Sequence, residues 1–220
     1  MDRISWLKER RREAEERYST WWAPLYSEKW GVYPNASHLQ FIQRFTDLIP
    51  QNSVILDAAC GAGRYLPQLL GKGYSLIGID QAQGMLARAR EKFPEVRFEK
   101  VGLQEMPYQE VFDGTICMDA MEHVCPEDWP VVLSNFQRAL KGQGFLYFTV
   151  EIADEAEVKS AFDQAQGLGL PVVYGEWVND DVYHYYPSLE QVREWVQQAG
   201  LVILKEGEGD GYHHFLMRKA

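Results

Sequence analysis

The segment 57–64 is the part of the sequence whose composition is best suited to holding a ligand. It reads DAACGAGR and follows the apolar run 53–56. Its small residues, among them Gly61 and Gly63, let the backbone approach a bound molecule within van der Waals contact, and the start of a following helix favours an anionic group. A tight strand-to-helix turn needs glycines for conformational reasons alone, so the segment is compatible with a ligand loop and with a plain turn.

A carboxylate, Asp80, ends the next apolar run at 74–80. An acidic side chain at the end of a second parallel strand can accept hydrogen bonds from both hydroxyl groups of a ribose. The dinucleotide fingerprint GxGxxG is incomplete, because Leu66 stands where a third glycine would follow Gly61 and Gly63. These residues favour a ligand that contains a nucleoside, and they disfavour NAD.

Alternating strands and helices are needed to place these two motifs side by side. Apolar runs rich in β-branched residues predict strands at 53–59, 74–80, 96–101, 111–119 and 144–151. Between them the pattern predicts helices at 82–93 and 127–140, and a helical segment in RYLPQLLGKG, residues 64–73. Nearly continuous apolar strands that alternate with helices are typical of a parallel sheet covered on both faces.

The two ends of the chain add elements to this core. Residues 1–22 predict a helix with nearly balanced charge, a looser aromatic stretch follows, and a short helix is expected at 38–48. Ser188 and Gln191 form a capping box, and a tight GDG turn at 209–211 joins two strands into a hairpin. The fold class is therefore predicted to be α/β, a Rossmann-like doubly wound sheet of seven strands that ends in an antiparallel hairpin.

The overall composition excludes several classes of protein. The 220 residues carry 22 Lys and Arg against 32 Asp and Glu, a net charge of −10, which repels phosphate backbones and disfavours nucleic acid as a partner. Three cysteines without a CxxC pair indicate neither a disulfide framework nor a metal site. The charged start of the sequence is unlike a signal peptide, and no apolar run is long enough for a membrane span. We expect a cytoplasmic protein.

Four motifs in order resemble those of class I S-adenosylmethionine-dependent methyltransferases of the small-molecule type, like methyltransferase domain families 11 and 25. They are LDAACGAG (56–63), GIDQAQGML (78–86), VGLQEMPY (101–108) and FDGTICMDAMEHV (112–124). The resemblance covers roughly residues 40–150. It implies a transferase that uses S-adenosylmethionine, with a methyltransferase domain at 38–220, an N-terminal helix and an aromatic lid segment at 1–37, and an insertion at 152–187 as part of the substrate lid.

The resemblance also implies roles for individual residues in cofactor binding. Those expected to cradle the methionine part are Asp57, Ala59, Cys60, Gly61 and Gly63, with Cys117 and Met118 lining the same side. Asp80 is expected on the ribose hydroxyls, and Gln81, Met85, Leu103 and Gln104 around the adenine. The sequence departs from the family pattern at Ala59, usually Gly, and at Gly102, usually Asp, so Gly102 supplies no side-chain hydrogen bond to the adenine amino group. His123 matches a position that mostly packs under a helix.

Aromatic residues outside these motifs are the candidates for the pocket of the methyl acceptor. They cluster in three segments: Trp21, Trp22, Tyr26, Trp30 and Tyr33; Tyr174, Trp177, Tyr183, His184, Tyr185 and Tyr186; and Tyr212, His213 and His214. From these we select Trp22, Tyr26, Tyr183, Tyr185 and His213, although core packing would also account for any single ring. His184 is the candidate general base, because an imidazole changes its charge near neutral pH. Asp180 and Asp181 are either solvated loop acids or groups that steer a cationic acceptor.

The leading hypothesis is an enzyme that methylates O, N or S of a small molecule by in-line displacement. The alternatives are a protein or tRNA methyltransferase and a non-catalytic module that binds S-adenosylmethionine; Leu66 and the DxxCGxG arrangement disfavour an NAD oxidoreductase. The identity of the acceptor and the oligomeric state do not follow from the sequence.

Overall fold

The central sheet brings the glycine loop and Asp80 to the same edge. The computed structural model describes residues 2–29, 35–179 and 182–220. The sheet has seven strands: β1 (Val54–Ala58), β2 (Ser75–Asp80), β3 (Arg97–Lys100), β4 (Phe112–Cys117), β5 (Leu140–Glu151), β8 (Leu201–Gly209) and β9 (Tyr212–Lys219). Their order is β3-β2-β1-β4-β5-β9-β8. β1 to β5 are parallel, and β9 is antiparallel to β5 and to β8. The predicted fold class is confirmed.

The strand order reverses between β1 and β4, and this reversal determines where a ligand can bind. Chain leaving β1 goes to one side of the sheet and chain leaving β4 to the other, which opens a crevice at their carboxyl ends. The glycine loop follows β1, and Asp80 is the last residue of β2. Both motifs therefore lie at the crevice.

Helices cover both faces of the sheet, because neighbouring strand residues point in opposite directions. On one face, Phe45 of α3 (Ala36–Leu48) packs with Ile55 and Tyr147. On the other, α5 (Trp129–Ala139) and α7 (Leu189–Gln198) pack against Leu56 and Phe148. A fourth helix, α4 (Gln83–Lys92), packs beside β3. Every helix in the described ranges is too short or too polar to span a bilayer.

The N-terminal helix is longer and less regular than predicted. It consists of α1 (Arg3–Arg17), a π-helical turn (Tyr18–Trp22) and α2 (Ala23–Lys29). The amide of Ala23 donates to the carbonyl of Tyr18, which is the wider spacing of a π-turn. Pro24 has no amide hydrogen and cannot continue the regular α-helical pattern there. Trp30 and Tyr33 lie outside the described residues.

The insertion contains an element that was not predicted from the sequence. After α6 (Glu155–Gly167), β6 (Glu176–Val178) and β7 (Tyr183–Tyr185) form a separate antiparallel pair. Trp177 is paired with His184 in this small sheet. The two acids predicted to steer an acceptor, Asp180 and Asp181, lie outside the described residues.

The helical segment predicted for residues 64–73 was wrong. Only a 3₁₀ turn forms there, at Leu66–Gln68. Pro67 cannot donate a backbone hydrogen bond to residue 63, so an α-helix cannot start at Arg64 and pass through it. Gly71 and Gly73 have positive φ angles of 76° and 82°, which end helical geometry.

Candidate functional site

A cavity of about 380 Å³ lies between the N-terminal helix and the carboxyl ends of the parallel strands. This volume falls within the ~300–1,000 Å³ typical of ligand pockets. One side of the wall comes from the helix: Ile4, Leu7, Lys8, Arg10, Arg11, Ala14, Tyr18 and Tyr26. The other side comes from loops after the strands and includes Ala59, Gly61, Asp80, Gln81, Met85, Gly102, Leu103, Gln104, Asp119, His123 and Tyr183.

The two glycines of the loop have different structural roles. Gly61 lies in the cavity wall with a φ of 53°, and a Cβ there would point at the Met85 methyl carbon, 3.0 Å away. Gly63 has a φ of 79°, and its Cβ would lie 2.7 Å from the Phe93 ring and 2.9 Å from Leu66. Gly61 therefore keeps space open beside the cavity, whereas Gly63 allows the loop to pack on α4. Ala59 also lines the cavity, and its φ of 55° is a conformation that favours glycine.

Asp80 lies in the cavity wall and fixes the loop. Its Oδ2 accepts a hydrogen bond from the Gly61 amide at 2.9 Å, and its Oδ1 accepts one from the Ala82 amide at 2.7 Å. Burial raises the pKa of Asp80, and these backbone hydrogen bonds oppose that rise. A carboxylate held in this way has remaining lone pairs for a diol at the cavity surface. A glycine that keeps the wall open and a fixed carboxylate beside it fit the ribose of S-adenosylmethionine.

Besides Gly63, four other predicted cofactor residues lie outside the cavity wall. Asp57 is buried in β1, and its Oδ2 has no hydrogen-bond partner among the described residues. Burial, followed by the negative charge of Asp80, raises the pKa of Asp57 to about 8. Cys60 packs with the core under α4, Cys117 with the core under α5, and Met118 with that under α3. Their side chains pack in the cores on the two sides of the sheet, so they support the crevice from below.

The predicted adenine-side residues Gln81, Met85, Leu103 and Gln104 line the cavity together. Gln104 also donates a hydrogen bond to Asp128 at 3.1 Å. Next to them, the space above Gly102 is filled by the paired side chains of Arg11 and Glu105, since a Cβ on Gly102 would lie 2.8 Å from Arg11 Nη2. The departure from the family pattern at Gly102 therefore lets the N-terminal helix dock at this end of the cavity.

Tyr18 and His123 form a hydrogen-bonded pair in the cavity wall. The Tyr18 hydroxyl lies 3.1 Å from His123 Nε2, and the two rings meet edge to face with centroids 5.6 Å apart. His184, the predicted base, contacts the far side of His123 with ring centroids 4.7 Å apart. His184 Nδ1 lies 2.8 Å from the Tyr186 hydroxyl and 3.2 Å from a Glu151 oxygen. His184 is thus one ring removed from the cavity wall.

A second polar group closes the cavity near β4. The Asp119 carboxylate accepts hydrogen bonds from His38 at 2.6 Å, Tyr65 at 2.7 Å and Arg64 at 3.1 Å. Burial by itself would raise the pKa of Asp119, but the hydrogen bonds from His38 and Tyr65 and the charge of Arg64 hold it below its usual range. Asp119 therefore places a negative charge at the cavity surface.

The predicted substrate residues divide into two groups. Tyr26 and Tyr183 line the cavity. Trp22 is half-buried against Lys29, whose Nζ lies 4.8 Å from the centre of its ring. Tyr185 is buried in the core under α5 and α7. His213 points away from the cavity, because its ring nitrogens lie 3.1 Å from Glu206 and 3.4 Å from Glu208 on β8.

The contribution of α1 to the cavity was not predicted from the sequence. The sequence predicted only a helix with nearly balanced charge at 1–22. The wall residues Leu7, Arg11, Ala14 and Tyr18 nevertheless follow one another at steps of four, three and four, which places them on one helix face. This spacing was the available signal, and the many charges around it obscured it.

Comparisons with known proteins agree with this geometry. Residues 55–144 match the family described as "Methyltransferase domain". A ubiquinone biosynthesis O-methyltransferase of Hydrogenovibrio crunogenus is 28% identical over 209 residues, 91% of this chain and 82% of that protein. A tRNA (carboxymethyluridine(34)-5-O)-methyltransferase of Arabidopsis thaliana is 30% identical over 133 residues, 57% of this chain and 32% of that protein.

Among solved structures, a 1,6-didemethyltoxoflavin-N1-methyltransferase of Burkholderia thailandensis, crystallised with its substrate and S-adenosylhomocysteine, has the same fold. Its TM-score is 0.71 at 15% identity, with 97% of this chain and 90% of that chain covered. A magnesium protoporphyrin IX methyltransferase of Synechocystis, crystallised with S-adenosylmethionine, has a TM-score of 0.68 at 14% identity, over 94% and 95% of the two chains. The match of residues 55–144 and the shared fold agree with the ordered motifs and with the cavity beside Asp80, and together they support a class I S-adenosylmethionine-dependent methyltransferase.

Proposed function

We propose that the protein transfers the methyl group of S-adenosylmethionine to a small molecule bound in the same cavity. The observation that carries this proposal is the continuity of one cavity from Gly61 and Asp80 at one side to His123 and Tyr183 at the other, beneath the N-terminal helix. A space of this size under a helix suits a small acceptor better than a folded macromolecule.

The bound cofactor supplies an activated methyl group, and the protein provides orientation and a dry site. We assign Asp80 to the ribose hydroxyls, Gln81, Met85, Leu103 and Gln104 to the adenine, and the loop 57–63 to the methionine part. Holding two reactants in line contributes up to ~7–11 kcal/mol to lowering a barrier. The helix formed by residues 3–29 and the insertion at 152–187 act as the lid that excludes water.

The named relatives support a small acceptor without identifying it. The matched proteins from Hydrogenovibrio and Burkholderia are named for methylation in ubiquinone biosynthesis and of a toxoflavin precursor. The Arabidopsis relative is named for tRNA, so tRNA is the alternative acceptor. A net charge of −10 opposes binding of a phosphate backbone and favours the small molecule. Free thiols at Cys60, Cys117 and Cys125 suit a reducing compartment, and we propose the cytoplasm.

A methylation screen with labelled S-adenosylmethionine tests this proposal. The wild-type protein is incubated with a metabolite library, with bulk tRNA and with a protein extract, and the Asp80→Asn variant serves as the control for background label. We expect label in a small molecule with the wild type only. Label in tRNA alone or in protein alone would contradict the proposal and indicate a tRNA or a protein methyltransferase. Tight cofactor binding with no transfer to any of them would indicate a binding module.

A further inference from the structure

We propose that Tyr18 and His123 together take the proton from an acidic hydroxyl group of the acceptor while it is methylated. This inference rests on the proposed function, since it assumes a small acceptor in the cavity. Tyr18 would be the cavity-facing hydroxyl that touches the acceptor, and His123 the group that receives the proton. His184 would position His123.

The hydrogen bonds around His123 determine which nitrogen can accept a proton. Its Nδ1 lies 3.4 Å from the backbone carbonyl oxygen of Tyr183, which can only accept, so Nδ1 carries the hydrogen in the neutral ring. Nε2 is then unprotonated, and it accepts the hydrogen bond from the Tyr18 hydroxyl at 3.1 Å. The free lone pairs of the Tyr18 oxygen remain available to a hydroxyl in the cavity.

The π-helical turn places Tyr18 over His123. Tyr18 is the first residue of this turn, and π-turns inside α-helices occur frequently at functional sites. The carbonyl of the next residue, Ser19, lies directly against Gly84 at the start of α4, where no side chain would fit. The contact fixes the turn against the body of the protein, so the Tyr18 hydroxyl has a defined position in the wall.

The surroundings of His123 suit a proton acceptor that is neutral before the reaction. Burial, followed by the neighbouring His184, lowers the pKa of His123 to about 4. The groups that face it are Tyr18 from the N-terminal helix, His184 from β7 and three acidic residues: Glu122 at 4.0 Å, Glu151 behind His184, and Asp119. Burial raises the pKa of Glu122 well above its usual range, whereas hydrogen bonds hold the pKa values of Glu151 and Asp119 below theirs despite burial. The carboxylates of Glu151 and Asp119 can therefore stabilise an imidazolium that forms during the transfer.

The proposed step balances in charge and atoms. The acceptor oxygen forms a bond to the methyl carbon and displaces the sulfide, which leaves with the electron pair of the former carbon–sulfur bond. The acceptor's proton passes to the Tyr18 oxygen while the Tyr18 proton passes to His123 Nε2. The positive charge lost by the sulfonium thus reappears on His123, which releases its proton to water before the next turnover.

The pair also restricts the class of acceptor. A histidine whose pKa is about 4 is a weak base, so it matches hydroxyls that are already acidic, such as phenols or enols, rather than alkyl alcohols. An amine acceptor attacks with its lone pair and needs no base before bond formation, so the pair would give it little advantage.

The decisive experiment compares Tyr18→Phe with Tyr74→Phe on a hydroxyl acceptor found in the screen. Tyr74 is a suitable control because its hydroxyl bonds to the carbonyls of Thr46 and Ile49, away from the cavity wall. We expect Tyr18→Phe to slow single-turnover transfer by about 100-fold or more and to keep the affinity for S-adenosylhomocysteine within about twofold. Tyr74→Phe should be unchanged in both. The loss should shrink for acceptor analogues whose hydroxyl is more acidic.

Two further measurements keep the inference separate from the proposed function. Nitrogen NMR of labelled histidine in the ligand-free protein should show His123 protonated at Nδ1, with an Nε2 resonance that shifts in Tyr18→Phe. His123→Gln should slow the same transfer by a similar factor, which covers the case that Tyr18→Phe is unstable. An unaltered transfer rate in these variants would overturn the proton-accepting role of Tyr18 and His123 and leave the small-molecule proposal intact. Transfer only to amines or sulfur also overturns it alone, whereas transfer only to RNA overturns both.

Discussion

Arg3 and Glu176 are 173 residues apart in the chain and form a two-bonded ion pair, with each guanidinium Nη atom 2.9 Å from a carboxylate oxygen. Glu176 is fully buried, and it also accepts hydrogen bonds from the Tyr183 hydroxyl at 2.6 Å and the Val173 amide at 2.7 Å. Arg3 additionally donates to the carbonyl of Pro171 at 2.6 Å. The start of α1 is therefore tied to the insertion, so the two segments that cover the cavity form one unit.

Replacing Arg3 by Met should loosen this cover. Leaving the buried Glu176 carboxylate without this charge partner costs about 3–5 kcal/mol. We expect faster amide hydrogen exchange in α1 and in residues 171–178, and weaker binding of S-adenosylhomocysteine. The control is Arg12→Met, because Arg12 forms its ion pairs with Glu9 and Glu16 on the exposed side of α1. Equal exchange rates in the two variants would contradict the role of the Arg3–Glu176 pair.

The two loop glycines should respond differently to the same substitution. Gly61→Ala adds a methyl group toward the cavity beside Met85, so its main effect should be weaker binding of S-adenosylhomocysteine, with little change in the melting temperature. Gly63→Ala drives a methyl group into the Phe93 ring and Leu66, so it should cost about 1–3 kcal/mol of unfolding free energy. Calorimetry and urea unfolding of both variants distinguish the effects. A tightly binding, folded Gly61→Ala protein would show that the loop is only a turn.

Asp80→Asn should reduce affinity for S-adenosylmethionine by roughly one to two orders of magnitude. Hydrogen bonds from a diol to a charged carboxylate contribute about 1.5–3 kcal/mol, and the amide cannot accept on both of its heavy atoms. Titration calorimetry measures the change, and Glu99→Gln, which removes a carboxylate on the neighbouring strand β3, serves as the control. Unchanged affinity in Asp80→Asn would remove Asp80 from the site.

Asp57→Asn should make stability less dependent on pH. The folded pKa of Asp57 is about 8, against about 4 in the unfolded chain, so the folded state holds the extra proton between these values. Wild-type stability should therefore fall as pH rises from about 4 to 8, by up to ~1.4 kcal/mol per pH unit from this group. Urea unfolding at pH 5 to 8 should show that the unfolding free energy of the variant increases relative to that of the wild type as pH rises. An exposed control, Asp163→Asn, should show no such trend.

His214 should make stability depend on pH in the opposite direction to Asp57, at acidic pH. Burial, followed by the neighbouring His38, lowers the pKa of His214 to about 4, whereas the unfolded chain protonates near 6.5. The unfolded state thus binds more protons between these values, and stability falls as pH drops from about 6.5 to 4. In His214→Asn the slope of the unfolding free energy against pH should decrease in this window by the amount that corresponds to about one bound proton. The same slope in both proteins would mean that His214 is already charged in the folded state.

The sequence predicted the sheet because its strands are short apolar runs whose ends are marked by glycines and acids. The site was predictable where a residue directly follows a strand, as for Gly61 and Asp80. It was not predictable where packing decides whether a side chain reaches the cavity: Cys117 ends β4 and Met118 follows it, yet both are buried in the cores rather than in the cavity wall. Contacts made by the N-terminal helix were also hidden, since nothing local in Arg3 or Tyr18 indicates partners more than a hundred residues away.

The position of β9 between β5 and β8 has a consequence for how the chain folds during synthesis. β9 is made after every other strand in the described ranges, yet it joins β8 to the rest of the sheet through its pairing with β5. Until β9 emerges from the ribosome, β5 exposes an unpaired edge, and His214 cannot yet pack on Phe41 of α3. The nascent chain is therefore expected to depend on chaperones at this late stage, and shortening it within residues 212–219 should cause aggregation rather than a smaller folded domain.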